Sequence, residues 1–156
     1  EIETGKIVSL APLPYAKPIG RGGWLVYGDN SIYCLRGDET ADFLRYDIEK
    51  DRWEELPPVP LVCGVPIGAE CSGLAYTSEG ILAWPDHHVQ KFDPITGKWD
   101  KCGFSCTFRP SVNGCMFTYD AQEQKLYIVQ GNYSRTLGTL DVKTRRFSYL
   151  SPRQSP

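Results

Sequence analysis

The sequence predicts an all-β protein built from one repeated unit, and three observations carry that expectation. Asp47, Asp93 and Asp141 recur at intervals of 46 and 48 residues. Each follows an apolar residue (Tyr46, Phe92, Leu140) and is followed six positions on by a large one (Trp53, Trp99, Phe147). A fixed period in this range signals stacked copies of one supersecondary unit and outranks local propensity. Between these landmarks the apolar residues come in runs of four or five, β-branched or aromatic, bounded by Gly, Asp, Glu or Pro. Short half-buried strands are punctuated in that way. Finally, 15 Gly, 12 Pro, 9 Tyr and 4 Trp against one Met suit strands and turns better than helices.

The clearest copy of the unit is Ser31–Pro60. A polar turn at Asp47–Asp51 joins two of its strands, and Leu56-Pro57-Pro58 stops the last, because proline gives a ladder no donor. Counting 46 residues back from Trp53 lands on Ile7, inside IETGKIVSLAPLP, which has the same turn and the same Leu-x-Pro ending. These residues resemble the kelch repeat. The match rests on Tyr46-Asp47 with Trp53 and Leu56-Pro57, and on Phe92-Asp93-Pro94 with Thr96 and Trp99. In the third copy Leu140-Asp141 and Phe147 stand in. The double glycine usual after the second strand is replaced by Arg36-Gly37, Pro85-Asp86 and Gln130-Gly131. The resemblance implies a β-propeller in which each repeat is one four-stranded blade, and most members of the family bind proteins. The expected architecture is therefore a partial kelch-type propeller, with three four-stranded blades and one extra N-terminal outer strand.

In order, residues 1–14 hold that outer strand, from an incomplete repeat. Blade 1 spans 15–60, with strands near Trp24–Tyr27, Ile32–Leu35, Phe43–Tyr46 and Arg52–Leu56. Blade 2 spans 61–106, with Leu74–Thr77, Ile81–Trp84, His88–Phe92 and Lys98–Lys101. Blade 3 spans 107–151, with Cys115–Tyr119, Leu126–Gln130, Thr136–Leu140 and Arg146–Leu150. Propellers close with about four to eight blades, so three leave an open flank at each end. The chain should pair with itself or form part of a larger propeller.

The candidate chemistry is thin. A net charge of −2 and the lack of interleaved basic and aromatic residues argue against nucleic acid. No apolar run is long enough to span a membrane. His87-His88 is a poor metal site, because adjacent strand residues point to opposite faces. Cys102 and Cys106 lack a second pair to complete zinc. Cys34 and Cys115 fall in expected strands as small apolar residues. Reduced thiols and a cytoplasmic protein are the expectation, or a secreted one if the cysteines pair. No cofactor, metal or catalytic constellation is expected, so the protein reads as a non-enzyme.

What remains is the loop surface. In the family, loops between second and third strands and between blades form the recognition face. Carried over, these are Arg36, Asp38 and Glu39; Asp86 and His87; Asn132, Tyr133 and Arg135; and, between blades, Arg21 and Arg109. The leading expectation is a module that docks a protein or peptide there. The alternative is a carbohydrate-binding propeller or an enzymatic one of the galactose-oxidase-like type. A lectin would repeat aromatics at equivalent loop positions, and Tyr133 has no counterpart in the other blades.

Overall fold

The computed structural model describes residues 4–14, 18–60, 73–84, 88–105, 115–130 and 135–150. Among them are twelve strands and no helix. The strands form three four-stranded antiparallel sheets, each a simple meander. Blade 1 contains β1 (Trp24–Gly28), β2 (Ser31–Leu35), β3 (Phe43–Asp47) and β4 (Arg52–Leu56). Blade 2 contains β5 (Leu74–Thr77), β6 (Gly80–Ala83), β7 (His88–Asp93) and β8 (Lys98–Ser105). Blade 3 contains β9 (Met116–Asp120), β10 (Lys125–Val129), β11 (Leu137–Asp141) and β12 (Phe147–Leu150). Strand β1 lies against β5, and β5 against β9, so blade 2 is the middle blade and these three strands line the inner side. The result is a partial β-propeller. Strand bounds fall within a residue or two of expectation except at β8, which continues to Ser105 beyond a register shift between Val89 and Lys91.

The recurring aspartates are turn caps. The carboxylate of Asp47 accepts from the Lys50 amide at 3.0 Å, that of Asp93 from Ile95 at 2.8 Å, and that of Asp141 from Thr144 at 2.7 Å. Side chains that fold back on their own turn in this way explain why Asp is favoured there. All three carboxyls are held below their ordinary value: Asp47 first by the Lys50 ammonium, Asp93 by the Thr96 hydroxyl, Asp141 by the Thr144 amide. Four positions after each Asp the backbone turns left-handed, at Asp51 (φ 45°), Gly97 (φ 67°) and Arg145 (φ 57°).

Strand alternation then sends each second residue to one face. In blade 1, Tyr33, Leu35 and Phe43 meet Leu74, Ile81, Ala83 and Phe92 of blade 2 in one buried cluster. In blade 2, Ala75, Leu82, Trp84 and Val89 meet Leu126, Ile128 and Leu140 of blade 3 in another. The core is thus two seams between blades. Trp53, Trp99 and Phe147 stand opposite Tyr46, Phe92 and Leu140 in register, at one equivalent place in each blade. They are half-buried rather than fully buried, because each lies on the outermost strand. The indole of Trp99 donates to the Pro57 carbonyl at 2.8 Å, and that of Trp53 to the Ala11 carbonyl at 2.9 Å, each reaching back 42 residues. Ala11 therefore sits where the residue after a preceding blade's last strand belongs.

Two expectations change. Ile7–Leu10 belongs to none of the three sheets and is exposed, making no ladder with the outer strand of any described blade. Cys115 is disulfide-bonded rather than reduced, to a cysteine whose side chain lies outside those described. It just precedes β9 rather than lying within a strand. Cys34 does behave as a small apolar residue: it is a buried free thiol, its pKa pushed up to about 11 by burial.

Candidate recognition surface at the loop end of blade 1

The loop from β2 to β3 begins with Arg36. Its amide donates to the Asp42 carbonyl at 3.2 Å, closing the loop at its neck, and its guanidinium pairs with Asp42 at 3.0 Å. Thr40 caps the interior, with both its amide and its hydroxyl on the Gly37 carbonyl. Gly37, Asp38 and Glu39 are left-handed in succession, at φ 75°, 56° and 60°. For Asp38 and Glu39 this is a sparsely populated conformation that surrounding contacts must hold.

Those contacts come from the connection entering β1. The Gly20 amide donates to the Arg36 carbonyl at 3.0 Å, and the Asp38 amide to the Arg21 carbonyl at 2.7 Å. Packing is close: a Cβ on Gly37 would stand 2.3 Å from the Arg21 carbonyl oxygen and 2.5 Å from the Gly23 nitrogen. A Cβ on Gly20 would stand 2.2 Å from that of Asp38. The two loops are one laced unit, and Arg21, Asp38 and Glu39 are exposed on it.

The structure therefore brings together Arg21, Arg36, Asp38 and Glu39, but not in equal roles. Arg36 is only 5% exposed, so it is an internal strut and not a surface charge. Its side chain turns inward onto Asp42. Arg135 is exposed on the equivalent loop of blade 3, closed at its neck by the Gln130 amide on the Thr136 carbonyl at 3.2 Å. Asp86, His87, Arg109, Asn132 and Tyr133 lie outside the described residues.

Sequence reasoning missed a row of aromatics on the inner strands. Tyr27, Tyr76 and Tyr119 stand opposite Ile32, Ile81 and Leu126, at one register position in the three blades. Nearby, Trp24 of blade 1 stacks on Phe117 of blade 3 at 5.2 Å, crossing blade 2 at Gly73, where a Cβ would strike the Phe117 ring. These residues border an inner depression of about 340 Å³. Aligning WLVYG, LAYT and MFTYD exposes the row, but the tyrosines lie 20, 17 and 22 residues ahead of the period-marking aspartates, so no fixed interval announces it. Among the described residues, no group of three His, Cys, Asp or Glu is placed to hold a metal.

No family model matches the chain, and no curated protein does. Among solved structures the chain is similar to the structure of YjhT, with a TM-score of 0.68 at 16% identity. The likeness covers 96% of this chain and 54% of that one, so the chain spans about half the length of that structure. At this identity the likeness concerns the fold. No described helix is long and apolar enough to cross a membrane.

Proposed function

We propose that the chain is a non-catalytic, kelch-type recognition module that binds a protein or peptide through its propeller loops. The observation that supports this is the lacing of the 36–42 loop to the 18–23 connection, which fixes Arg21, Asp38 and Glu39 as an exposed cluster. A surface already ordered loses little conformational freedom on binding, so more of its contact energy appears as affinity. Arg adds a rigid fork for carboxylates. A segment carrying both signs of charge fits such a cluster best. The repeated aromatics lie on inner strands rather than on loops, which favours this reading over a lectin. The Cys115 disulfide favours an oxidising compartment over the cytoplasm.

The test begins with peptides selected from a display library against the wild-type chain. The triple variant Arg21→Gln, Asp38→Asn, Glu39→Gln should bind them at least tenfold more weakly. Its stability should stay within about 0.5 kcal/mol, as is usual for surface changes. Equal binding by the variant would remove these loops from the interface.

A further inference from the structure

We propose, resting on the recognition reading above, that Arg36 and Asp42 are positioning residues of that surface: they touch no partner, and their ion pair holds the 37–41 segment in the one conformation that sets Asp38 and Glu39 beside Arg21. The segment needs holding. Gly37, Asp38 and Glu39 are left-handed in succession, and only the first is a glycine. Asp38 and Glu39 are each strained in that conformation, so the loop relaxes if its ends are released. Both are exposed, and the solvent does nothing to keep them there.

The restraints meet at Arg36. Its amide donates to the Asp42 carbonyl at 3.2 Å, its carbonyl accepts from the Gly20 amide at 3.0 Å, and its guanidinium lies 3.0 Å from the Asp42 carboxylate. The entrance and exit of the loop are thus joined twice, by backbone and by charge. The entrance is joined in turn to the connection that carries Arg21. The exit is tied to the core, because the buried Val59 donates its amide to the Ala41 carbonyl at 3.0 Å. Loosening the neck therefore releases the strained residues and their lacing to Arg21 together.

A blade does not need this charge pair to close such a loop. In blade 3 the neck is closed by the Gln130 amide on the Thr136 carbonyl at 3.2 Å, and both residues are uncharged. Nor is the pair a large source of stability. Taking a guanidinium out of water costs about as much as its attraction to a carboxylate contributes, and the Arg36 side chain is 6% exposed against 33% for Asp42. What the pair supplies is a single arrangement. If the neck shifted, the guanidinium would leave its carboxylate without regaining water, so other arrangements are disfavoured. A segment held in this way meets its peptide already formed. Once the neck is loose, only the fraction still laced can bind, which slows association and leaves dissociation unchanged.

Amide hydrogen exchange followed by NMR tests the role of the pair without any ligand. In Arg36→Met the amides of Gly20 and Asp38 should lose nearly all their protection, while those of β2 and β3 keep theirs. Asp42→Asn, at a side chain one third exposed, should do the same and serves where Arg36→Met does not fold. The two substitutions together should do no more than either alone, because both act through one pair. With the display-selected peptides, each variant should associate about tenfold more slowly at an unchanged dissociation rate. Unchanged protection at Gly20 and Asp38 overturns the proposal, whatever the peptides do. Loss of protection in β2 and β3 as well overturns a role confined to the loop. Lost loop protection with wild-type association removes the loop from the interface, which overturns the recognition reading and the positioning role with it. A change confined to dissociation also overturns positioning, since Arg36 would then act in the complex itself.

Discussion

Replacing Trp99 with Ala tests whether the aromatic at the end of each repeat holds one blade to the next. Trp99 is half-buried and touches two rings, Phe43 of blade 1 and Phe92 of its own blade, both at 5.1 Å. Half the area of a buried tryptophan is about 100 Å², worth about 2.5 kcal/mol at about 25 cal/mol per Å². Two ring pairs add about 1 kcal/mol beyond area, and the bond to the Pro57 carbonyl about 1 more. The expected loss is about 4.5 kcal/mol, within the usual range for such truncations. Trp53 has the same kind of hydrogen bond but one ring partner, Tyr46 at 5.1 Å, and no described blade behind it. Its replacement should cost about 1 kcal/mol less, by the missing ring pair and part of the packing. Urea unfolding followed by circular dichroism measures both. A loss below about 1.5 kcal/mol for Trp99→Ala, under half the sum from area and ring contacts, would refute the reasoning. So would a Trp53 variant that costs as much or more.

Gly37→Ala should cost about 2–4 kcal/mol, combining left-handed strain with backbone that cannot yield at the Arg21 carbonyl and the Gly23 amide. Gly97→Ala, also left-handed but with nothing within 4 Å, should cost only about 1–2 kcal/mol, and equal losses would show that the loops are not laced. Tyr46 donates to the Asp51 carboxylate, and that bond first, with burial second, raises its phenol from 10.0 to about 12. A raised folded pKa gives stability that is complete below pH 10 and lost as pH rises towards 12. The advantage of wild type over Tyr46→Phe should therefore shrink across that window in urea midpoints. Parallel curves would mean that the bond is not made in solution.

The repeated Asp and its aromatic partner were legible because both are set locally. A side chain that caps its own turn, and a strand that alternates faces, need only a few neighbouring residues. That sufficed for the twelve strands, the absence of helix among the described residues, and the meander of each blade. Arg21, Asp38 and Glu39 were brought together by the resemblance to the kelch repeat, not by local physics. Other features depended on residues far apart in sequence. Arg36 looked like a surface charge until the fold set Asp42 beside it and the Gly20 amide on its carbonyl. The tyrosine row was hidden because the connection between second and third strands is shorter in blade 2 and the first turn longer in blade 3, so a shared register position has no shared interval. Cys115 could not be read as bridged from spacing alone, since a disulfide depends on where two backbones meet. Ile7–Leu10 has strand composition, yet a strand exists only where another edge donates and accepts. The sequence by itself determined what each blade is; which faces are sealed against one another, only the packing of blade on blade decided.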